Sequence, residues 1–159
     1  VIVEAAPGAG RALGSTVMAD PHGDPLASTL GLQGERLLVV DDNRINRVVA
    51  EKLLLRAGAQ VSLAADGPTA IDLFGQAADQ GTPYTTVLMD LQMPGMSGLQ
   101  AAQAIRRHPA GTAVRIIATS AAVMREDVQQ AREAGMDDFA RQPLDWSDLV
   151  QRIQRLQRR

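Results

Sequence analysis

Leu37-Leu38-Val39-Val40-Asp41-Asp42 is the stretch on which the fold of this chain turns. Its four aliphatic residues make a run of strand length with no polar interruption, which reads as a strand buried on both faces. The run closes on two carboxylates. Two further segments share the form: Thr86-Val87-Leu88-Met89-Asp90 closes on a carboxylate, and Arg115-Ile116-Ile117-Ala118-Thr119-Ser120 closes on hydroxyls. Strands buried on both faces belong to parallel sheets, and the functional ends of such strands gather on one edge. Asp41, Asp42, Asp90 and Ser120 are therefore expected in a single crevice, a set of oxygens suited to a hard cation and a phosphoryl group.

Outward from these runs the chain alternates. Strand-like segments lie near residues 36–40, 60–65, 84–89, 114–119 and 137–141, and helical patterns near 44–57, 68–80, 98–108, 123–134 and 146–157. In the last helix Trp146, Leu149, Val150, Ile153 and Leu156 form an apolar stripe, with Arg152, Arg155, Arg158 and Arg159 on its other faces. Asp145 and Ser97 are placed as N-caps, and Gly58 and Gly135 sit where helices end. Five strands alternating with five helices predict a parallel sheet covered on both sides, with its βα loops at the carboxyl edge.

Composition narrows the classes. The chain has 159 residues, 45% hydrophobic and 21% charged, enough for one domain with a real core plus an appendage. Aromatics are only 3%, so the core is expected to be aliphatic. A net charge of −2 argues against nucleic acid as a partner. No apolar stretch approaches the ~18–20 residues that span a bilayer, so no membrane contact is expected of this segment. There is no cysteine, which fits a cytoplasmic location. The chain opens on Val1-Ile2-Val3-Glu4 without a Met, and reads as a piece of a longer protein. Residues 1 to about 34 are rich in Gly, Ala, Pro and Ser; of these 21–34 read as a linker, and residues 35–159 as the alternating domain.

The chemistry of the crevice follows from its residue types. Adjacent carboxylates such as Asp41 and Asp42 repel unless a cation lies between them, and Mg²⁺ takes oxygen ligands while keeping several waters. Asp90 is a further oxygen donor, and the backbone carbonyl of Gln92 is another. A carboxylate also serves as a nucleophile that forms an aspartyl phosphate. A cation and a hydroxyl donor then stabilise the charge spread over the phosphoryl oxygens. Taken alone, Asp41 and Asp42 also read as ordinary helix N-caps.

Two motifs carry a resemblance. Leu38-Val39-Val40-Asp41-Asp42-Asn43 and Val87-Leu88-Met89-Asp90-Leu91-Gln92-Met93-Pro94-Gly95-Met96-Ser97-Gly98 resemble those of response-regulator receiver domains. The continuation Arg44-Ile45-Asn46-Arg47 is similar to receivers fused to hybrid histidine kinases. The resemblance covers residues 35–159 and implies a flavodoxin-like fold with strand order 2-1-3-4-5. It implies that Asp90 accepts the phosphoryl group, that Asp41, Asp42, Asp90 and the Gln92 carbonyl hold Mg²⁺, and that Ser120 contacts the phosphoryl group. Phe139 falls at the aromatic switch position of the fifth strand, and reads equally as a core aromatic. The implied partner is a histidine kinase or a histidine phosphotransfer domain.

One position departs from the family. Receivers carry a Lys before the Pro that follows the fifth strand, and this chain has Gln142-Pro143. Gln keeps a donor and loses the positive charge, while Arg141 is expected on the other face. Two readings stay open: a phospho-acceptor with weaker electrostatic help, or a degenerate receiver that docks a partner without phosphorylation. A third, a hydrolase working through an aspartyl phosphate, would want an acid or base just after Asp90, and Leu91 and Gln92 supply none.

The opening segment has a weaker resemblance. Val1-Ile2-Val3-Glu4, Pro7-Gly8 and Gly14-Ser15-Thr16-Val17 resemble the end of a histidine-kinase ATPase domain, so residues 1–20 read as its remnant. Gly8-Ala9-Gly10 lacks the third glycine and the βαβ frame of a dinucleotide motif. His22 sits in the linker and His108 at a helix end, where it reads as a dipole partner. Met89, Met93 and Met96 read as packing.

Overall fold

The structure is a computed structural model, and it describes residues 31–121 and 124–157. The expected ATPase remnant, most of the linker, His22, Arg158 and Arg159 lie outside the described residues. Five strands, β1 (Arg36–Val40), β2 (Gln60–Ala64), β3 (Thr86–Asp90), β4 (Arg115–Ser120) and β5 (Asp138–Arg141), alternate with five helices. The helices are α1 (Arg44–Arg56), α2 (Gly67–Asp79), α3 (Gly98–Arg107), α4 (Arg125–Glu133) and α5 (Trp146–Gln157). The strands form one sheet in the order β2-β1-β3-β4-β5, and every neighbouring pair is parallel. This is the doubly wound architecture that the alternation predicts.

Side-chain alternation divides the core into two layers. On one face Leu38, Val40, Val87, Met89, Ile116 and Ala118 pack with Phe74 of α2 and Ala101, Ala102 and Ile105 of α3. On the other, Leu37, Val39, Leu88 and Ile117 pack with Leu54 of α1 and Leu149, Val150 and Ile153 of α5. Met89 and Met93 are buried in the first layer, as packing. Trp146 packs partly buried on the second, at the head of the apolar stripe.

The helix signals operate as written. Ser97 Oγ accepts from the backbone of Gln100 at 3.3 Å, and Gln100 Oε1 accepts from Ser97 N at 3.0 Å, which closes a capping box. Asp145 Oδ1 accepts from Asp148 N at 3.1 Å. Gly58 and Gly135, each one residue past a C-cap, have φ of 99° and 91°, the left-handed conformation that ends a helix. His108 is the C-cap of α3, at the helix end as expected; its Nδ1 accepts from Ala110 N at 3.0 Å, and its ring stands edge-on to Phe74.

Three details correct or extend the sequence reading. Gly31–Gly34, assigned to the linker, form a turn whose Leu32 is fully buried against the second layer, and Leu32 N donates to Ala57 O at 2.9 Å. Strand β3 starts two residues later than expected, at Thr86; ahead of it the Thr85 hydroxyl donates to Glu35 at 2.6 Å and accepts from Arg36 N at 3.0 Å. Arg152, placed by the sequence only on a face away from the apolar stripe, ties α5 to β5: it bonds Asp148 at 2.6 Å, Asp138 at 2.9 Å and the Phe139 carbonyl at 3.2 Å.

Candidate functional site

The carboxyl ends of β1 and β3 lie side by side, because the chain leaves β1 for the sheet edge and returns to pair β3 on its other flank. The register sets Val40 beside Met89, so Asp41 and Asp90 follow at adjacent strand ends. One carboxylate oxygen from each of Asp41, Asp42 and Asp90 lies within 4.8 Å of the others. Asp41 and Asp90 are buried and Asp42 is exposed, so the cluster opens to solvent on one side.

Each buried carboxylate is held by its own loop. Asp41 accepts from Asn43 N at 2.8 Å and from Asn46 Nδ2 at 3.1 Å, and the Asp41 carbonyl accepts from Arg47 Nη1 at 2.7 Å. Asn43 in turn is the N-cap of α1, its Oδ1 accepting from Ile45 N and Asn46 N. Asp41 and Asp42 are thus free of the helix-capping role that the sequence leaves open. Asp90 Oδ1 accepts from Gln92 N at 3.0 Å.

Burial dominates the electrostatics of Asp90. Its carboxyl is raised from 3.8 to about 7, chiefly by removal from water, with the neighbouring Asp41 and Asp42 adding to the rise and the Gln92 N–H opposing it. A buried carboxylate beside two others is an uncompensated charge, and hard oxygen donors at this spacing fit a hard divalent cation.

The remaining expected residues take these positions. Ser120 ends β4, almost fully buried. Phe139 is half-buried on β5, packed against the first layer. Gln142 follows β5 through a cis peptide to Pro143, and its Nε2 donates to Thr119 Oγ1 at 3.4 Å. Arg141 is exposed and borders a different cavity, with Phe139 and Arg152. Asn46, Arg47 and Thr119 are site neighbours that the sequence reading does not single out. Their signals were present: two polar residues opening α1 after Asp42, and a hydroxyl in an aliphatic strand, paired in register with Asp90.

A doubly wound parallel sheet with an acidic crevice where its strand order reverses defines the flavodoxin-like class. Within it, residues 37–154 match the family model of the response regulator receiver domain, and the chain belongs to that family. It is 36% identical over 112 residues to hybrid signal transduction histidine kinase I of Dictyostelium discoideum, covering 69% of this chain and 6% of that one. It is 37% identical over 128 residues to the sensor histidine kinase GacS of Pseudomonas protegens, covering 77% of this chain and 13% of that one. Among solved structures it is similar to the receiver domain of the Arabidopsis thaliana histidine kinase CKI1 complexed with Mg²⁺ and BeF₃⁻, at 33% identity and a TM-score of 0.72, covering 84% of this chain and 97% of that one. The chain therefore spans a small fraction of the length of the curated relatives it matches, and the matching parts are their receiver domains. No helix among the described residues is long and apolar enough to cross a membrane.

Proposed function

We propose that Asp90 accepts a phosphoryl group from the phosphohistidine of a histidine kinase or a histidine phosphotransfer domain, and that the chain does so as part of a hybrid sensor histidine kinase. The observation that carries this reading is the convergence of Asp41, Asp42 and Asp90, with the charge on Asp90 held out of water. In the transfer an ionised Asp90 oxygen attacks phosphorus, the P–N bond to the donor imidazole breaks, and the neutral imidazole leaves on its own electron pair. Only ionised Asp90 is a nucleophile, and the Gln92 N–H bond fixes one of its oxygens, leaving the other for attack. Asn43 and Asn46 hold Asp41 in place, and Arg47 anchors the β1–α1 turn through the Asp41 carbonyl.

Asp41, Asp42, Asp90 and the Gln92 carbonyl would hold Mg²⁺, which when bound would supply positive charge to keep Asp90 ionised and offset the charge of the phosphoryl oxygens. Ser120 at the end of β4 is the hydroxyl that meets the phosphoryl group, and Phe139 on β5 is the element whose position responds to it. Gln142 contributes amide donors without charge. The cytoplasm is the compartment this reading requires of the domain.

The test is incubation with Mg²⁺ and a small phosphodonor such as acetyl phosphate, followed by intact mass measurement. Wild-type protein gains one phosphoryl mass and Asp90→Asn gains none. A folded wild-type domain that gains no mass ends the phospho-acceptor reading. A Mg²⁺ titration checks the ligands separately: Asp42→Ala weakens binding, and unchanged affinity removes Asp42 from the set.

A further inference from the structure

A cavity of about 380 Å³ opens beside the acidic crevice, between α1 and α5 on the second-layer face of the sheet. That volume lies within the range of small-ligand sites, about 300–1,000 Å³. Its walls are apolar: Val49 and Ala50 of α1, Leu88 of β3, and Leu144 and Trp146 at the start of α5. Four polar residues also line it, Asp41, Asn46, Thr119 and Gln142, and the Asn46 amide already donates to the Asp41 carboxylate at 3.1 Å. None of the cavity's lining residues is cationic, and the nearby Arg47 is committed to the Asp41 backbone carbonyl. Among the described residues Asp41 accepts two hydrogen bonds, and with one further position given to a metal in the carboxylate cluster, one of its about four acceptor positions is left.

Apolar walls that finish on anionic and neutral acceptors select a ligand with an aliphatic body and a cationic head. Neutral ligands forgo the charge, and anions are repelled by three carboxylates. Gln142 and Thr119 meet at 3.4 Å, a weak bond that an ammonium can replace without loss. We propose that this cavity binds a short primary alkylammonium, with its chain against Trp146 and its three N–H donors at Asp41, Thr119 and Gln142. Resting on the phospho-acceptor reading, the bound ammonium supplies the positive charge that Gln142 does not bring to the phosphoryl group.

Trp146 is the only tryptophan of the chain and lines the cavity, so it reports binding directly. The experiment titrates n-butylammonium chloride into the full chain with saturating Mg²⁺, reading Trp146 emission. Sodium chloride at equal ionic strength and 1-butanol serve as the charge and chain controls. A saturable change with butylammonium in the millimolar range, absent with both controls, is the expected result. Ala50→Leu, which fills the apolar part, abolishes it; should that variant fail to fold, Val49→Phe at the half-exposed rim does the same. Gln142→Lys, which tethers an ammonium from the cavity wall, also abolishes it. With acetyl phosphate as donor, butylammonium raises the rate of Asp90 phosphorylation by about tenfold, the weight of one charge-assisted hydrogen bond.

A signal reproduced by sodium chloride or butanol overturns the proposal. So does a signal that only appears without Mg²⁺, because the cation would then be in the metal site. Saturable binding with no change in phosphorylation rate overturns the charge-supplying role. If Asp90 takes no phosphoryl mass under any condition while the Trp146 isotherm persists, the phospho-acceptor reading fails and the binding site stands.

Discussion

Asp90 is where one residue sets both stability and chemistry. Its carboxyl is raised from 3.8 to about 7 in the folded protein, chiefly by burial. The folded state therefore holds this proton more tightly than the unfolded chain does. The stability that the proton confers is complete below the unfolded value near 4 and is lost as pH rises through about 7. Ionisation across that window costs the metal-free fold up to ~4 kcal/mol, less where water reaches the open side. Asp90→Asn removes the penalty, so in the presence of a chelator it stabilises the domain by about 2 kcal/mol at pH 8 and by little at pH 4, read from urea unfolding. The same proton competes with the metal: Mg²⁺ affinity falls below pH 7, approaching tenfold per pH unit, as isothermal titration across pH 5.5–8 would show. A pH-independent affinity would mean that Asp90 is not a ligand. The acidic residues were legible because each ends an apolar run. Asn46 and Arg47 were not, since at the start of an amphipathic helix polar residues look like solvent-facing ones, and only the backward reach to Asp41 separates them.

At the scale of elements, the β3–α3 connection shows how a helix start places the site. Gly98 opens α3 directly over the end of β3, and a Cβ there would collide with the Asp90 carbonyl oxygen and meet Leu91 Cα at 2.8 Å. Helix propensity alone favours Ala at this position by up to ~1 kcal/mol. The backbone contact reverses the sign: Gly98→Ala is expected to destabilise by about 2 kcal/mol or more and to weaken Mg²⁺ binding, because the displaced backbone carries Asp90. Gly67 is a useful contrast, its nearest neighbour being the flexible Met96 side chain, so that Gly67→Ala costs less than Gly98→Ala in a thermal melt. Helices and strands were read closely from the sequence, since apolar period and capping residues mark both. What escaped was the start of β3, where a Thr85 hydroxyl serves the edge of the sheet, and Arg152, whose exposed-face position in the helix hides ion pairs to Asp138 and Asp148. Both depend on partners distant in the chain or on a neighbouring strand, which local pattern does not show.

Across the whole molecule, the two ends of the sheet are built on opposite terms. At the amino edge Glu35, almost fully buried, accepts from Thr85 at 2.6 Å, from Thr86 at 3.1 Å and from Arg115 at 3.4 Å. At the carboxyl edge one oxygen from each of three carboxylates lies within 4.8 Å of the others, and among the described residues no ion pair joins them to a cationic side chain. The domain also begins earlier than its regular structure: Leu32, ahead of β1, is buried against the layer that α1 and α5 cover. Leu32→Ala is expected to lower stability by about 2–5 kcal/mol, as for a core leucine, whereas a tether residue would give a change near zero in chemical denaturation. That boundary was hidden because the few leucines of residues 21–34, set among Gly, Pro and polar residues, follow no strand or helix period. The contrast between the two edges has an evolutionary consequence. If Asp90→Asn strengthens the fold as predicted, a lineage tested only on folding would drift toward an amide there and leave a sturdier scaffold with no acceptor. This chain keeps Asp41, Asp42 and Asp90 together, and it is the acidic edge, more than the core, that would record when such a lineage stopped signalling.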